Sequence, residues 1–254
     1  MSLDSTSFVR WARWAGLVVL AACLSGGATQ PELFGSGTPI LFVGNSLTYV
    51  NDVPGIVQAL ALARGDSLAV ESVALPDYAL IDHWNNGTGR GTARGEIAAM
   101  KWKFVVLQQG PSSVSVNRDT LRLATKLFAP GITQSGGTPA LFSVWPTSDR
   151  TQDFPASIQS YTLAASDVNG VLLPVAAAWL AAWQRSPSLA LYSDGLHAST
   201  AGSYLSALTI YAVLVHKTPV WLPSSLTLHS GARVSVDSAT AVTLQAAAAS
   251  VTGW

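Results

Sequence analysis

The chain has 254 residues, 14 Lys+Arg against 14 Asp+Glu, and is 49% apolar but only 11% charged. That is ample apolar material for a buried core, in one large domain or two small ones. The even charge balance leaves no basic surface of the kind that holds nucleic-acid phosphates, which argues against a nucleic-acid partner.

Arg10 and Arg13 flank a short apolar run, Trp14 to Ala22. About twenty apolar residues are needed to cross a bilayer, so the run predicts a secretory signal and not a membrane helix. It ends in Leu20-Ala21-Ala22-Cys23, which resembles the bacterial lipobox. The resemblance implies that Cys23 is acylated and becomes the first residue of an exported, lipid-anchored protein of the cell envelope. Leu24 stands where an Asp would direct retention at the inner membrane, which implies the outer membrane. Several acyl chains on one residue anchor a domain durably, whereas a single chain does so only marginally. The alternative is an ordinary secretory signal with a chance Cys near its end. Cys23 is the only cysteine, so the exported part is expected to have neither disulfide nor thiol chemistry. Residues 24–38, rich in Ser, Gly and Thr, read as a tether. Residues 39–254 have no internal repeat and no Pro- or Ser-rich linker, and read as a single domain.

Pro39-Ile40-Leu41-Phe42-Val43 is an apolar run that enters Gly44-Asn45-Ser46. It reads as a strand buried on both faces, as in a parallel sheet. Val53 to Arg64 has helical spacing and stops at Gly65, and Ser67 to Leu75 reads as the second strand. Pro76-Asp77-Tyr78 is a loop, Leu80 to Trp84 a short helix, and Asn85 to Gly89 a turn-rich stretch. Ala93 to Met100 is a weak helix, and Phe104 to Leu107 the third strand, running into Gln108-Gln109-Gly110. Asn117 to Thr133 reads as a helix broken near Pro130-Gly131. The fourth strand is Pro139 to Trp145, followed by a helix from Phe154 to Asp167 and a fifth strand from Gly170 to Val175. Helices are expected at Ala176 to Gln184, Thr200 to His216 and Asp237 to Ser250. Strands separated by helices throughout predict an α/β fold, a three-layer α/β/α sandwich around a mainly parallel five-stranded sheet.

Two stretches carry chemistry. Ser46 leaves the first strand at the carboxyl edge of the sheet, where open α/β folds place ligands; the alternative is a Ser that merely caps the next segment. Asp194-Gly195-Leu196-His197 puts an Asp and a His three apart in a turn before a helix. A carboxylate so placed holds one imidazole nitrogen and stabilises the imidazolium formed at the other. The alternative there is a surface loop histidine.

In residue type, order and placement, Val43-Gly44-Asn45-Ser46-Leu47 and Asp194-Gly195-Leu196-His197 resemble the first and last blocks of the SGNH (GDSL-like) hydrolases. Gln108-Gln109-Gly110 is similar to the third block of the carbohydrate O-acetylesterase branches of that family. The resemblance spans roughly residues 39 to 216 and implies an SGNH/flavodoxin-like fold and ester hydrolysis through an acyl-enzyme. It makes Ser46 the nucleophile, His197 the base and Asp194 the residue that orients His197. The implied oxyanion donors are the backbone N–H of Ser46, a backbone N–H near Asp77-Tyr78-Ala79, and a side-chain amide assigned to Gln109, with Gln108 as the alternative. The sequence departs from the pattern at the second block, which has no Gly, at Asn45, where an Asp is usual, and at Ser112, where an Asn is usual. Asn45, His83 and Trp145 are candidate substrate contacts; a structural role is the competing reading for His83, and a buried aromatic for Trp145.

His216 falls at a helix end and His229 in a late loop. No cluster has metal-ligand spacing and no Gly-rich loop has a phosphate-cradling pattern, so neither metal nor cofactor is expected. The implied partners are a small-molecule or glycan ester and, through Cys23, a membrane. Two other readings share the fold: an O-acyltransferase acting on glycans, and a non-catalytic glycan-binding lipoprotein.

Overall fold

The computed structural model describes residues 37–254. Cys23, the signal segment and most of the expected tether lie outside the described residues.

Five parallel strands form the central sheet: β1 (Thr38–Gly44), β2 (Leu68–Ala74), β3 (Phe104–Leu107), β4 (Thr138–Phe142) and β5 (Val171–Leu173), in the order β2-β1-β3-β4-β5. Ile40 to Val43 of β1 are fully buried, as expected for a strand with helices over both faces. One layer contains α2 (Val53–Ala63), α7 (Val175–Arg185), α8 (Thr200–Val215) and α9 (Ser238–Thr252), which pack in succession on one another. The other contains α3 (Leu80–Asn85), α4 (Ala93–Ala99), α5 (Ser115–Gln134) and α6 (Phe154–Asp167). The three-layer sandwich expected from the alternation of strands and helices is therefore present.

Strand order reverses between β1 and β3. The connections leaving these two strands run to opposite faces, and a crevice opens at their carboxyl ends. Into this crevice β1 delivers α1 (Ser46–Tyr49), a single helical turn that apolar periodicity does not reveal. Gly44 is required at the end of β1, because an added Cβ would overlap Gln108 Oε1 and Thr48 Oγ1.

Three differences from the expected elements have physical causes. α5 runs unbroken through Pro130. Pro130 and Lys126, whose carbonyl loses its helical partner, are both exposed, so water takes the place of the missing N–H. β4 ends at Phe142, not at Trp145, because its partner β5 stops at Leu173, whose carbonyl takes a last bond from the Ser143 N–H and another from its hydroxyl. A small antiparallel pair, β6 (Ser225–Thr227) with β7 (Arg233–Ser235), buries only Leu226 and Val234, too few residues to give a strand signal. No helix among the described residues is long and apolar enough to cross a membrane.

Candidate active site

Ser46 is the first residue of α1. Asn45 is extended (φ −130°) and its Oδ1 accepts the Leu47 N–H at 3.1 Å, so it caps the helix and turns the chain sharply after β1. The turn leaves Ser46 half-buried at the sheet edge. His197, 151 residues further on, places Nε2 2.9 Å from Ser46 Oγ. Its Nδ1 lies 2.8 Å from Asp194 Oδ2. The other carboxylate oxygen, Oδ1, accepts the Leu196 N–H at 2.7 Å and the His197 N–H at 2.6 Å.

These bonds hold the Asp194 carboxyl down to about 2, the His197 backbone N–H contributing most, then that of Leu196, then the imidazole. An ionised acceptor at Nδ1 keeps the imidazole proton there, and Nε2 is left to accept from the Ser46 hydroxyl.

The turn that carries Asp194 and His197 is fastened on several sides. Trp145 Nε1–H donates to the Leu196 carbonyl at 2.8 Å, and the Tyr192 hydroxyl to the Pro146 carbonyl at 2.6 Å. Asn51 reaches across from the segment after α1 and donates to the Ala198 carbonyl and to Ser203 Oγ, both at 3.0 Å. Asn51 and Asp52 both have positive φ (58° and 55°), a conformation that Asn and Asp tolerate better than most residues. The sequence did not mark Asn51 as a site residue, because its partners Ala198 and Ser203 are brought to it only by the fold.

In the second block, Leu75-Pro76-Asp77-Tyr78 forms a turn closed by Tyr78 N–H on the Leu75 carbonyl at 3.4 Å. Asp77 adopts φ +59°, the region favoured by Gly, so the backbone reaches this geometry without the expected glycine. The Ala79 N–H is taken by Asp82 Oδ2 at 2.8 Å. Of these three amides, only that of Asp77 has no acceptor among the described residues, and the same holds for Ser46 N–H at the end of β1. Asn45 connects the two, since its Nδ2 donates to the Tyr78 carbonyl at 3.0 Å.

The structure corrects the assignment of a glutamine amide to the oxyanion site. Both N–H groups of Gln109 are committed, to Ser112 Oγ at 2.9 Å and to the Asn117 carbonyl at 3.3 Å, while its Oε1 accepts the Leu80 N–H. Gln108 is fully buried. It accepts from Asn45 N–H and the Thr48 hydroxyl and donates to Asn45 Oδ1 and the Gln109 carbonyl. Gln108 braces the turn around Ser46, Gln109 ties the start of α3 to the segment between β3 and α5, and the side chain of neither has an N–H left over.

Two candidate substrate contacts are also corrected. His83 is fully buried; its Nε2–H donates to the Gly44 carbonyl at 2.8 Å and Nδ1 has no partner. Desolvation lowers its pKa and keeps it neutral. Trp145 is likewise fully buried, stacked on Trp179 with ring centroids 3.9 Å apart. His83 was a candidate because it follows the second block and Trp145 because it leaves the fourth strand, but His83 is held against Tyr78 and the Gly44 carbonyl and Trp145 is covered by Trp179 of α7.

Ser46, Asn45, Leu47, Asp77, Tyr78 and Gln109 line one cleft of about 310 Å³, and Ala79, Pro111 and Leu196 are also among its wall residues. Among the described residues no group of three or more His, Cys, Asp or Glu side chains is arranged to hold a metal ion.

The sheet order, the two helical layers and the crevice at β1 and β3 are those of the SGNH (GDSL-like) hydrolases. Comparison with solved structures gives this chain the fold of that class. A DUF4886 family protein from Bacteroides uniformis superposes with a TM-score of 0.73 at 17% identity, over 86% of this chain and 95% of that one. A protein from Slackia heliotrinireducens assigned to the SGNH hydrolases gives 0.57 at 25% identity, over 70% and 99%. A lipase/acylhydrolase from Enterococcus faecalis gives 0.53 at 16% identity, over 68% and 93%. No family model matches the sequence, and comparison with curated proteins gives no match.

Proposed function

We propose that the chain is a serine esterase that removes short acyl groups, acetyl above all, from carbohydrates through an acyl-enzyme. The observation that carries this reading is the run of hydrogen bonds from Ser46 Oγ, which lines the cleft, through His197 to Asp194.

Ser46 Oγ attacks the ester carbonyl while its proton passes to His197 Nε2. Asp194 stabilises the resulting imidazolium. The tetrahedral oxyanion is received by the backbone N–H groups of Ser46 and Asp77, each such donor contributing roughly 3 kcal/mol to the transition state. Collapse expels the alcohol, which takes the proton from His197. Water, deprotonated by the same imidazole, then attacks the acyl-enzyme and releases the acid. The cleft wall is mainly apolar, with Leu47, Ala79, Pro111 and Leu196 on it, and its volume of about 310 Å³ suits a short acyl group, while Ser112, Asn117 and Thr120 offer hydrogen bonds to the alcohol.

The experiment is hydrolysis of p-nitrophenyl acetate by the full chain and by Ser46→Ala. A fall in kcat on the order of 10⁴-fold or more is expected; equal rates would remove Ser46 from the chemistry. The proposal includes a site of action at the bacterial cell envelope, through acylation of Cys23. Incorporation of labelled palmitate in a bacterial host, and its loss in Cys23→Ser, is the expected result. Labelling that persists in the variant overturns the anchor.

A further inference from the structure

A second groove shares no lining residue with the Ser46 cleft. It runs between the end of α3, α4 and the C-terminal half of α5, has a volume of about 630 Å³, and is walled mainly by apolar side chains, among them Trp84, Ile97, Leu127 and Phe128. Among the described residues, Arg94 is the only charged one that lines it. From this pairing of one cation with an aromatic and aliphatic wall we propose that the groove binds an aromatic carboxylate, its carboxylate on Arg94 and its ring along Ile97, Leu127 and Phe128. The proposal goes beyond the esterase reading and does not depend on it.

Arg94 is held ready for an anion. Its guanidinium carbon lies 4.1 Å from the centroid of the Trp84 ring, and Nη1 donates to the Trp84 carbonyl at 3.3 Å. Trp84 is itself set edge-on to Phe128, with ring centroids 5.3 Å apart. These contacts fix the guanidinium, yet no carboxylate among the described residues pairs with it. Its remaining N–H groups lie in one plane and match the two oxygens of a carboxylate. A half-buried cation without a counter-ion favours an anionic ligand over a neutral one of the same shape.

Another part of the wall costs the fold stability without a return in packing. Pro130 and Gly131 are exposed neighbours in the interior of α5, and Pro and Gly are the two weakest helix formers. Close approach does not require Gly131, since an added Cβ would meet only Ile97 Cγ2, at an ordinary 3.6 Å. What the pair does is keep longer side chains out of the groove beside Ile97, which leaves a flat wall. Locally unfavourable residues that packing does not demand are expected chiefly at functional sites. A planar ring suits such a wall, and it loses fewer rotamers on binding than an alkyl chain of similar area.

The test is calorimetric titration of the full chain with 2-naphthoate, with the corresponding neutral amide and with octanoate. 2-Naphthoate is expected to bind saturably. The amide should bind about tenfold or more weakly, because the charge-assisted bonds to Arg94 are lost, and octanoate should also bind more weakly than 2-naphthoate. Arg94→Gln is expected to lower the affinity for 2-naphthoate to that for the amide and to leave the latter nearly unchanged. An amide bound as tightly as the acid, octanoate bound as tightly as 2-naphthoate, or no binding of 2-naphthoate overturns the proposal.

A second variant separates occupation of the groove from a general loss of structure. Gly131→Leu extends a side chain from the wall at a position where a Cβ has room, and it replaces a weak helix former by a strong one, so the thermal midpoint should not fall. Loss of 2-naphthoate binding at an undiminished midpoint supports the site. Unchanged binding puts the ligand elsewhere on the protein and overturns it.

Discussion

Asn45 holds the Leu47 amide with its side-chain oxygen and the Tyr78 carbonyl with its side-chain nitrogen, so one residue sets the spacing between the Ser46 turn and the Asp77 turn. Asn45→Asp keeps the first bond and replaces the second by repulsion between two oxygens. We expect kcat on p-nitrophenyl acetate to fall roughly ten- to a hundredfold with a much smaller change in KM, because the two amides proposed to receive the oxyanion separate. Asn51 acts at greater distance. Asn51→Gly retains the left-handed backbone and removes both bonds to the Ala198–Ser203 region, so a comparable loss of kcat is expected while the circular dichroism spectrum is unchanged. Asp77→Gly relieves a left-handed residue and should raise stability to urea by roughly 1 kcal/mol with activity retained. At this scale the meeting of Ser46, Asp194 and His197 in one run of hydrogen bonds was legible, because residue type, order and position at a sheet edge are properties of the sequence. The glutamine donor was not, because whether an amide N–H is free depends on partners such as Ser112 Oγ and the Asn117 carbonyl, which only the folded chain brings to it.

Each long, strongly periodic helix was found near its expected bounds, since a stripe of apolar residues is a local signal. α1 was missed for the opposite reason: four residues are too few for a period, and the helix exists because Asn45 caps it and Gln108 binds Thr48. The expected break at Pro130 shows a local rule yielding to context, since the freed carbonyl faces water and Phe128 and Ile132 on the other side of α5 are buried. Pro130 should therefore remain a cost to α5. Pro130→Ala is expected to restore a backbone bond and stabilise the protein by about 1–3 kcal/mol, read as a higher thermal midpoint. Gly44 at the end of β1 has the reverse sensitivity. Gly44→Ala drives a methyl group into Gln108 and Thr48 and should displace the Ser46 turn, with loss of both stability and activity.

Over the molecule as a whole, acid acts through carboxylates that the fold holds ionised. Asp167, bound to Arg122 and Lys126 across α5 and α6, and Asp194 are each lowered to about 2, and Asp237 at the start of α9 is lowered by its capping bonds to Thr240. The unfolded chain takes up protons on these groups at higher pH than the folded one. Their stabilisation is complete above the ordinary carboxylate range and is lost as pH falls through about 2, so the thermal midpoint should decline from about pH 5 downward. The 151 residues between Ser46 and His197 have a consequence for the order of events during folding. A chain that has formed β1 and α2 but not yet seated the turn before α8 carries a serine no more reactive than one in a peptide. On the proposed mechanism the gain of nucleophilicity at Ser46 coincides with the seating of that turn, and covalent capture by a fluorophosphonate becomes a clock for this step of refolding.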